Sequence, residues 1–228
     1  MIEYDAVCVK EAPESPAPSL LLASSSPRRR ALLRLVDLPF EVAAVDVDER
    51  VGPGESAPDV AGRLARTKAL AGGRSRPDRI VLAADTVVEL DDQPLGKPID
   101  EAEARAMLRA LRGRPHRVIT GLALARGPEL RWSGAVESVV RMRPYADEEI
   151  ERYVASGGPL DKAGGYAVQA ADFRPAEGVD GCYPNVVGLP LCEALRGLEA
   201  LGPRAGQSAD DLSPPPCQLC ERARELVW

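Results

Sequence analysis

Between Leu20 and Leu33 the chain reads LLLASSSPRRRALL, and no other stretch restricts the possible folds so strongly. Leu20-Leu21-Leu22-Ala23 is a short apolar run suited to a buried strand. Ser24, Ser25 and Ser26 follow as candidate N-caps, with Pro27 placed for the first helical position. A buried strand that passes at once into a capped helix is the opening unit of a layered α/β fold. The helix carries Arg28, Arg29 and Arg30 in its first turn, where the macrodipole is already positive and the amides are unpaired. A bound anion resolves that conflict, because amides, hydroxyls and guanidinium forks converge on phosphate oxygens. The plainer reading is a serine-capped helix with solvated arginines.

Strand-like and helix-like segments alternate along the rest of the chain, which predicts an α/β architecture. Phe40–Glu49 alternates apolar and polar residues like a half-buried strand, and Pro58-Asp59 opens a helix expected to stop at Gly72-Gly73. Ile80–Val88 is the most apolar strand, interrupted by Asp85 near its expected carboxyl end. Pro98–Arg112 reads as a helix closed by Gly113; HRVITGLALAR and RWSGAVESVVRMR, split by Gly127-Pro128, read as a hairpin. Helices are expected over Asp147–Ala155 and Cys192–Leu201. Residues 1–19 and 203–228, rich in Pro, Ser and charge, read as poorly packed extensions around a domain at residues 20–202.

The net charge of −6 over 228 residues argues against a nonspecific nucleic-acid binder, so the arginine cluster suits a small anionic ligand better than a long phosphate backbone. No apolar run is long enough to span a bilayer and the amino terminus lacks a basic start before an apolar stretch, so the expectation is a cytoplasmic protein without membrane or nucleic-acid partners. Five cysteines, Cys8, Cys182, Cys192, Cys217 and Cys220, are odd in number and scattered, which fits reduced thiols. Cys217 and Cys220 fall short of a zinc ligand set.

Asp85 is a carboxylate in a strand that should be buried and needs a partner, as a turn cap or as a metal ligand or general base. Lys97 sits in a stiff Gly-Lys-Pro turn, and Lys68 and Lys162 lie in apolar or glycine-rich settings. In DKAGGYAVQ, Gln169 carries an amide able both to donate to and accept from a nucleobase edge. His116, the only histidine, reads as structural.

LASSSPRRRALL, LARTKA, AADTVV, GKP, HRVITG, LDKAGGYAVQ and NVVGLPL occur in this order from about Leu20 to Leu201, and the chain so resembles the Maf proteins, nucleoside triphosphate pyrophosphatases. The resemblance implies an α/β fold related to the inosine triphosphate pyrophosphatases, with a mixed sheet, flanking helices and a cleft between two lobes. It implies homodimers, a divalent cation such as Mg²⁺ or Mn²⁺, and hydrolysis of a nucleoside triphosphate to the monophosphate and pyrophosphate. Asp85 matches the family's catalytic proton acceptor. Ser24, Arg28, Arg29, Lys68, Lys97 and Lys162 match its phosphate-binding positions, and Glu49 matches an acidic residue close to the metal. Arg28, Thr86 and Gln169 match the branch acting on dTTP and UTP; the tryptophan and glutamate typical of the branch preferring 7-methyl-GTP are absent from these places. The chain departs from the pattern at Pro184, where a serine is usual, and in its C-terminal tail.

The residues agree with that chemistry. Cleavage between the α and β phosphorus needs activated water and positive charge on the leaving pyrophosphate. Asp85 with a divalent cation would supply the first, and Arg28, Arg29, Lys68 and Lys97 the second. Two other readings stand beside it: a nucleotide-binding regulator of septum formation without turnover, and a house-cleaning enzyme for inosine or xanthosine triphosphates.

Overall fold

The computed structural model describes residues 20–36, 38–201 and 218–226. The expected extension at residues 1–19 lies outside them, as does Cys217. Among these residues seven strands form one mixed sheet: β1 (Leu20–Ala23), β2 (Phe40–Ala43), β3 (Ile80–Leu90), β4 (Gln93–Leu95), β5 (Pro115–Arg126), β6 (Glu129–Met142) and β7 (Ala176–Asp180). Their order is β2-β1-β3-β5-β6-β7, with β4 paired to β3. β1 lies parallel to β2 and β3, and the remaining pairs are antiparallel, including the expected β5–β6 hairpin.

Among the described residues seven α-helices flank the sheet: α1 (Pro27–Leu33), α2 (Ala57–Ser75), α3 (Glu101–Leu111), α4 (Asp147–Ala155), α5 (Tyr183–Val187), α6 (Leu191–Glu199) and α7 (Gln218–Arg224). One face of the sheet packs against α2 through Leu64, Ala65, Ala69, Val81, Ala83 and Ala123. The other packs against α1, α5, α6 and α7 through Leu32, Leu82, Leu124, Val187, Leu195 and Leu219. A further core at the far end joins Leu108, Leu111, Val140, Ile150 and Phe173 around α3 and α4.

Four expectations change. The strand read from Phe40 to Glu49 ends at Ala43, because its partner β1 ends at Ala23; residues 44–49 then leave the sheet and carry Glu49 inward. Gly72-Gly73 does not stop α2. A Cβ on Gly73 would come 2.1 Å from the Gly127 carbonyl oxygen and one on Gly72 2.8 Å from Val81, so these glycines serve close helix–sheet packing. α3 begins at Glu101 because Asp100 caps it, accepting from the Glu103 amide at 2.8 Å. The tail is also packed where it is described: Leu219, Cys220 and Ala223 of α7 are buried in the core, and Arg224 lies 4.8 Å above the Tyr183 ring. No helix among the described residues is long and apolar enough to cross a membrane.

Candidate active site

β1 pairs with β3 only as far as Leu22 and Leu82, and β4 takes up β3 only from Val88. The edge of β3 between them has no partner strand among the described residues, and a cavity of about 600 Å³ opens there. Asp85 therefore lies in the middle of β3, not at its carboxyl end as its sequence context predicts. The opening comes from the shorter neighbour β1. Side chains alternate along a strand, so Asp85 leaves β3 toward α2 and Thr86 toward α1 and α5.

Ser24, Arg28, Arg29, Glu49, Lys68, Asp85, Thr86, Lys97, Lys162 and Gln169 all line this cavity. On the α2 side Lys68, only 6% exposed, places Nζ 2.6 Å from Asp85 Oδ1 and 2.6 Å from Glu49 Oε1. Lys97 Nζ lies 3.2 Å from the other Glu49 oxygen. Burial pushes the Glu49 carboxyl upward, but the Lys68 and Lys97 ammoniums outweigh it and hold it below the usual carboxylate range. The four side chains form an alternating row of carboxylates and ammoniums along one wall.

On the α1 side Ser26 is the cap, accepting from the Arg29 amide at 3.4 Å, and Pro27 opens the helix. The helix has only seven residues, so its guanidiniums rather than its dipole carry the positive charge. Arg29 donates from Nε to the Gly188 carbonyl at 2.8 Å, from one terminal nitrogen to Thr86 Oγ1 at 3.1 Å and from the other to Ser24 Oγ at 3.4 Å. Burial lowers its pKa against the pull of Asp85; a guanidinium stays charged regardless. Arg28 turns the other way and pairs with Asp161 at 3.1 Å. Burial tends to raise the Asp161 carboxyl, yet Lys162 and Arg28 prevail and hold it low. Lys162 also donates to the Gly158 carbonyl, at a turn where Gly164 and Gly165 have φ of 67° and 70°, a conformation that favours glycine.

Several residues behind the site are not singled out individually by the sequence. Thr120, Ser138 and Asn185 are buried polar groups behind the cavity wall, joined to Thr86 and to the start of α5. Thr120 and Asn185 fall inside the HRVITG and NVVGLPL motifs, and Ser138 is a polar residue inside an apolar strand run. His116 does not line the cavity; it is buried, its Nε2 lies 2.6 Å from the Tyr166 hydroxyl, and burial lowers its pKa to about 4.

The chain is 48% identical over 206 residues to the dTTP/UTP pyrophosphatase of Thermomicrobium roseum, covering 90% of this chain and 94% of that one. It is 49% identical over 184 residues to the dTTP/UTP pyrophosphatase of Salinibacter ruber, covering 79% and 90%. The solved structure of a HAM1 protein from Coxiella burnetii aligns with a TM-score of 0.41 at 19% identity, covering 57% of this chain and 75% of that one. The family model described as Maf-like protein matches residues 19–201, and the chain belongs to the Maf family.

Proposed function

We propose that this protein hydrolyses dTTP and UTP to the nucleoside monophosphate and pyrophosphate, as the names of its relatives say of them. The observation that carries the reading is the convergence of Asp85, Lys68 and Glu49 within 2.6 Å contacts across one cavity from the Arg29 guanidinium. It supports a site with a base on one wall and cations on both. Asp85 takes the proton of the attacking water. Lys68 holds that carboxylate in place through its 2.6 Å contact, while Arg29, Lys97 and Lys162 hold the triphosphate and the pyrophosphate that leaves. Arg28 and Gln169 stand at the base end, where an amide meets both the N3–H donor and a carbonyl acceptor of a pyrimidine.

A divalent cation fits the donor set. Asp85 and Glu49 offer hard carboxylate oxygens around one cationic nitrogen, and no third His, Cys, Asp or Glu completes a cluster among the described residues. That suits a magnesium-class ion whose shell is filled by water and substrate phosphates. Asp85 and Glu49 would hold it, and when bound it neutralises charge on the triphosphate.

The functional domain is proposed to span residues 20–202, with α7 packed into its core, and to act as a homodimer. Side-by-side hydrolysis of dTTP, UTP, 7-methyl-GTP and ITP by the purified protein, with products separated, tests the reading. Fastest release of pyrophosphate from dTTP and UTP supports it. Preference for ITP, or nucleotide binding without turnover, overturns it.

A further inference from the structure

Thr86 and Thr120 are directly opposed on β3 and β5, with their hydroxyl oxygens 2.9 Å apart. Thr120 is fully buried, and its oxygen also lies 3.1 Å from the backbone carbonyl of Asn185. A carbonyl can only accept, so the single Thr120 proton is committed to Asn185. Thr86 must then donate to Thr120. Arg29 in turn donates to Thr86. One fixed end thus assigns every proton along the row, and Thr86 has no hydrogen left to offer a bound nucleotide even though it lines the cavity.

The same network grips Arg29 a second time. Asn185 belongs to α5, and its amide donates to the Val118 carbonyl at 3.0 Å and to Ser138 Oγ at 2.9 Å. This pins α5 to the sheet. The residue just beyond α5, Gly188, supplies the carbonyl that receives Arg29 Nε. Two of the three Arg29 contacts, those to Thr86 and Gly188, therefore trace back to Thr120 and Asn185, neither of which lines the cavity; the third and longest goes to Ser24.

We propose that Thr120, acting through Thr86, is a positioning residue for Arg29. The residue after Asp85 then affects substrate use at the phosphate end, by fixing a cation, and does not read the base. The inference rests on the reading that Arg29 meets the triphosphate.

A double-mutant cycle on the full chain tests it, with KM for dTTP and UTP and calorimetric binding of inorganic pyrophosphate as readouts. Thr120→Val keeps the shape and removes the hydroxyl. It should raise both KM values and the pyrophosphate Kd alike, by roughly three- to tenfold for one lost hydrogen bond, and Thr120→Ser should restore them. On an Arg29→Ala background Thr120→Val should add nothing. An equal effect on both backgrounds, a changed dTTP to UTP ratio, or no effect overturns the proposal. If Thr120→Val does not fold, Thr86→Val enters the same cycle with the same outcomes. A wild type that turns over neither nucleotide defeats the functional reading alone, because the pyrophosphate cycle still decides the clamp.

Discussion

Asp85→Asn separates chemistry from stability, because the structure gives Lys68 two carboxylate partners. Asparagine keeps the shape of aspartate, and its carbonyl oxygen can still accept from Lys68 Nζ. Lys68 also retains Glu49 at 2.6 Å, so no ammonium is stranded. The exchange of a charged for a neutral acceptor should cost at most about 1–3 kcal/mol of folding stability. Turnover is a different matter. Loss of the general base should lower kcat for dTTP by about two to four orders of magnitude, or about 3–5 kcal/mol in the barrier. Lys68→Met is the informative contrast: it leaves Asp85, with a side chain 12% exposed, beside Glu49 without their shared cation. Breaking a buried pair in that way should cost about 3–5 kcal/mol. Adding Asp85→Asn to Lys68→Met should then recover stability without recovering activity. Urea denaturation of the three variants and pyrophosphate release from dTTP make the comparison. Near-normal turnover by Asp85→Asn rules Asp85 out as the base, and a larger stability loss than in Lys68→Met rules out the shared-cation arrangement.

Three further outcomes are expected. Arg28→Trp combined with Gln169→Glu should lower kcat/KM for dTTP and UTP by at least about tenfold, since a second acceptor facing a pyrimidine carbonyl costs about 1–3 kcal/mol; an unchanged dTTP to 7-methyl-GTP ratio shows that these positions do not read the base. Leu219→Ala should lose about 2–5 kcal/mol in chemical denaturation, because this residue of α7 is 1% exposed in the main core; a neutral result means the tail does not support the domain. Burial lowers His116 from the ordinary 6.5 to about 4, so folding favours its neutral form. Its stability contribution is whole above pH 6.5, falls as pH drops toward 4, and totals about 3 kcal/mol. Denaturation of wild type and His116→Gln at pH 7 and pH 4 should show that loss reduced in the variant, and parallel losses refute it.

Much of the cavity wall was legible because its residues sit in short motifs next to turn and cap residues. Ser26 and Pro27 start α1 and so aim Arg29, and the glycines after Lys162 set its turn. What the sequence does not display is depth. Thr120 and Ser138 lie within runs that read simply as strand and are placed by register, while Asn185 comes behind Thr86 only through the docking of α5 on the sheet. The end of β2 depends on the length of β1, a nonlocal fact, and Gly72-Gly73 looks like a helix stop until the sheet is seen pressing on it. The tail misleads for a similar reason. Its composition is that of an extension, while the three buried residues of α7 find a ready groove beside α5.

The proposed reaction is attack of water on the α-phosphorus, and hydrolysis of dTTP in ¹⁸O-water reveals which phosphorus is attacked. Mass spectrometry of the products should find one ¹⁸O atom in dTMP and none in pyrophosphate, since the bond from the α-phosphorus to its bridging oxygen is the one that breaks. Label in pyrophosphate, or release of labelled orthophosphate, would place the attack elsewhere on the triphosphate and contradict the assignment of Asp85 and the cations around it.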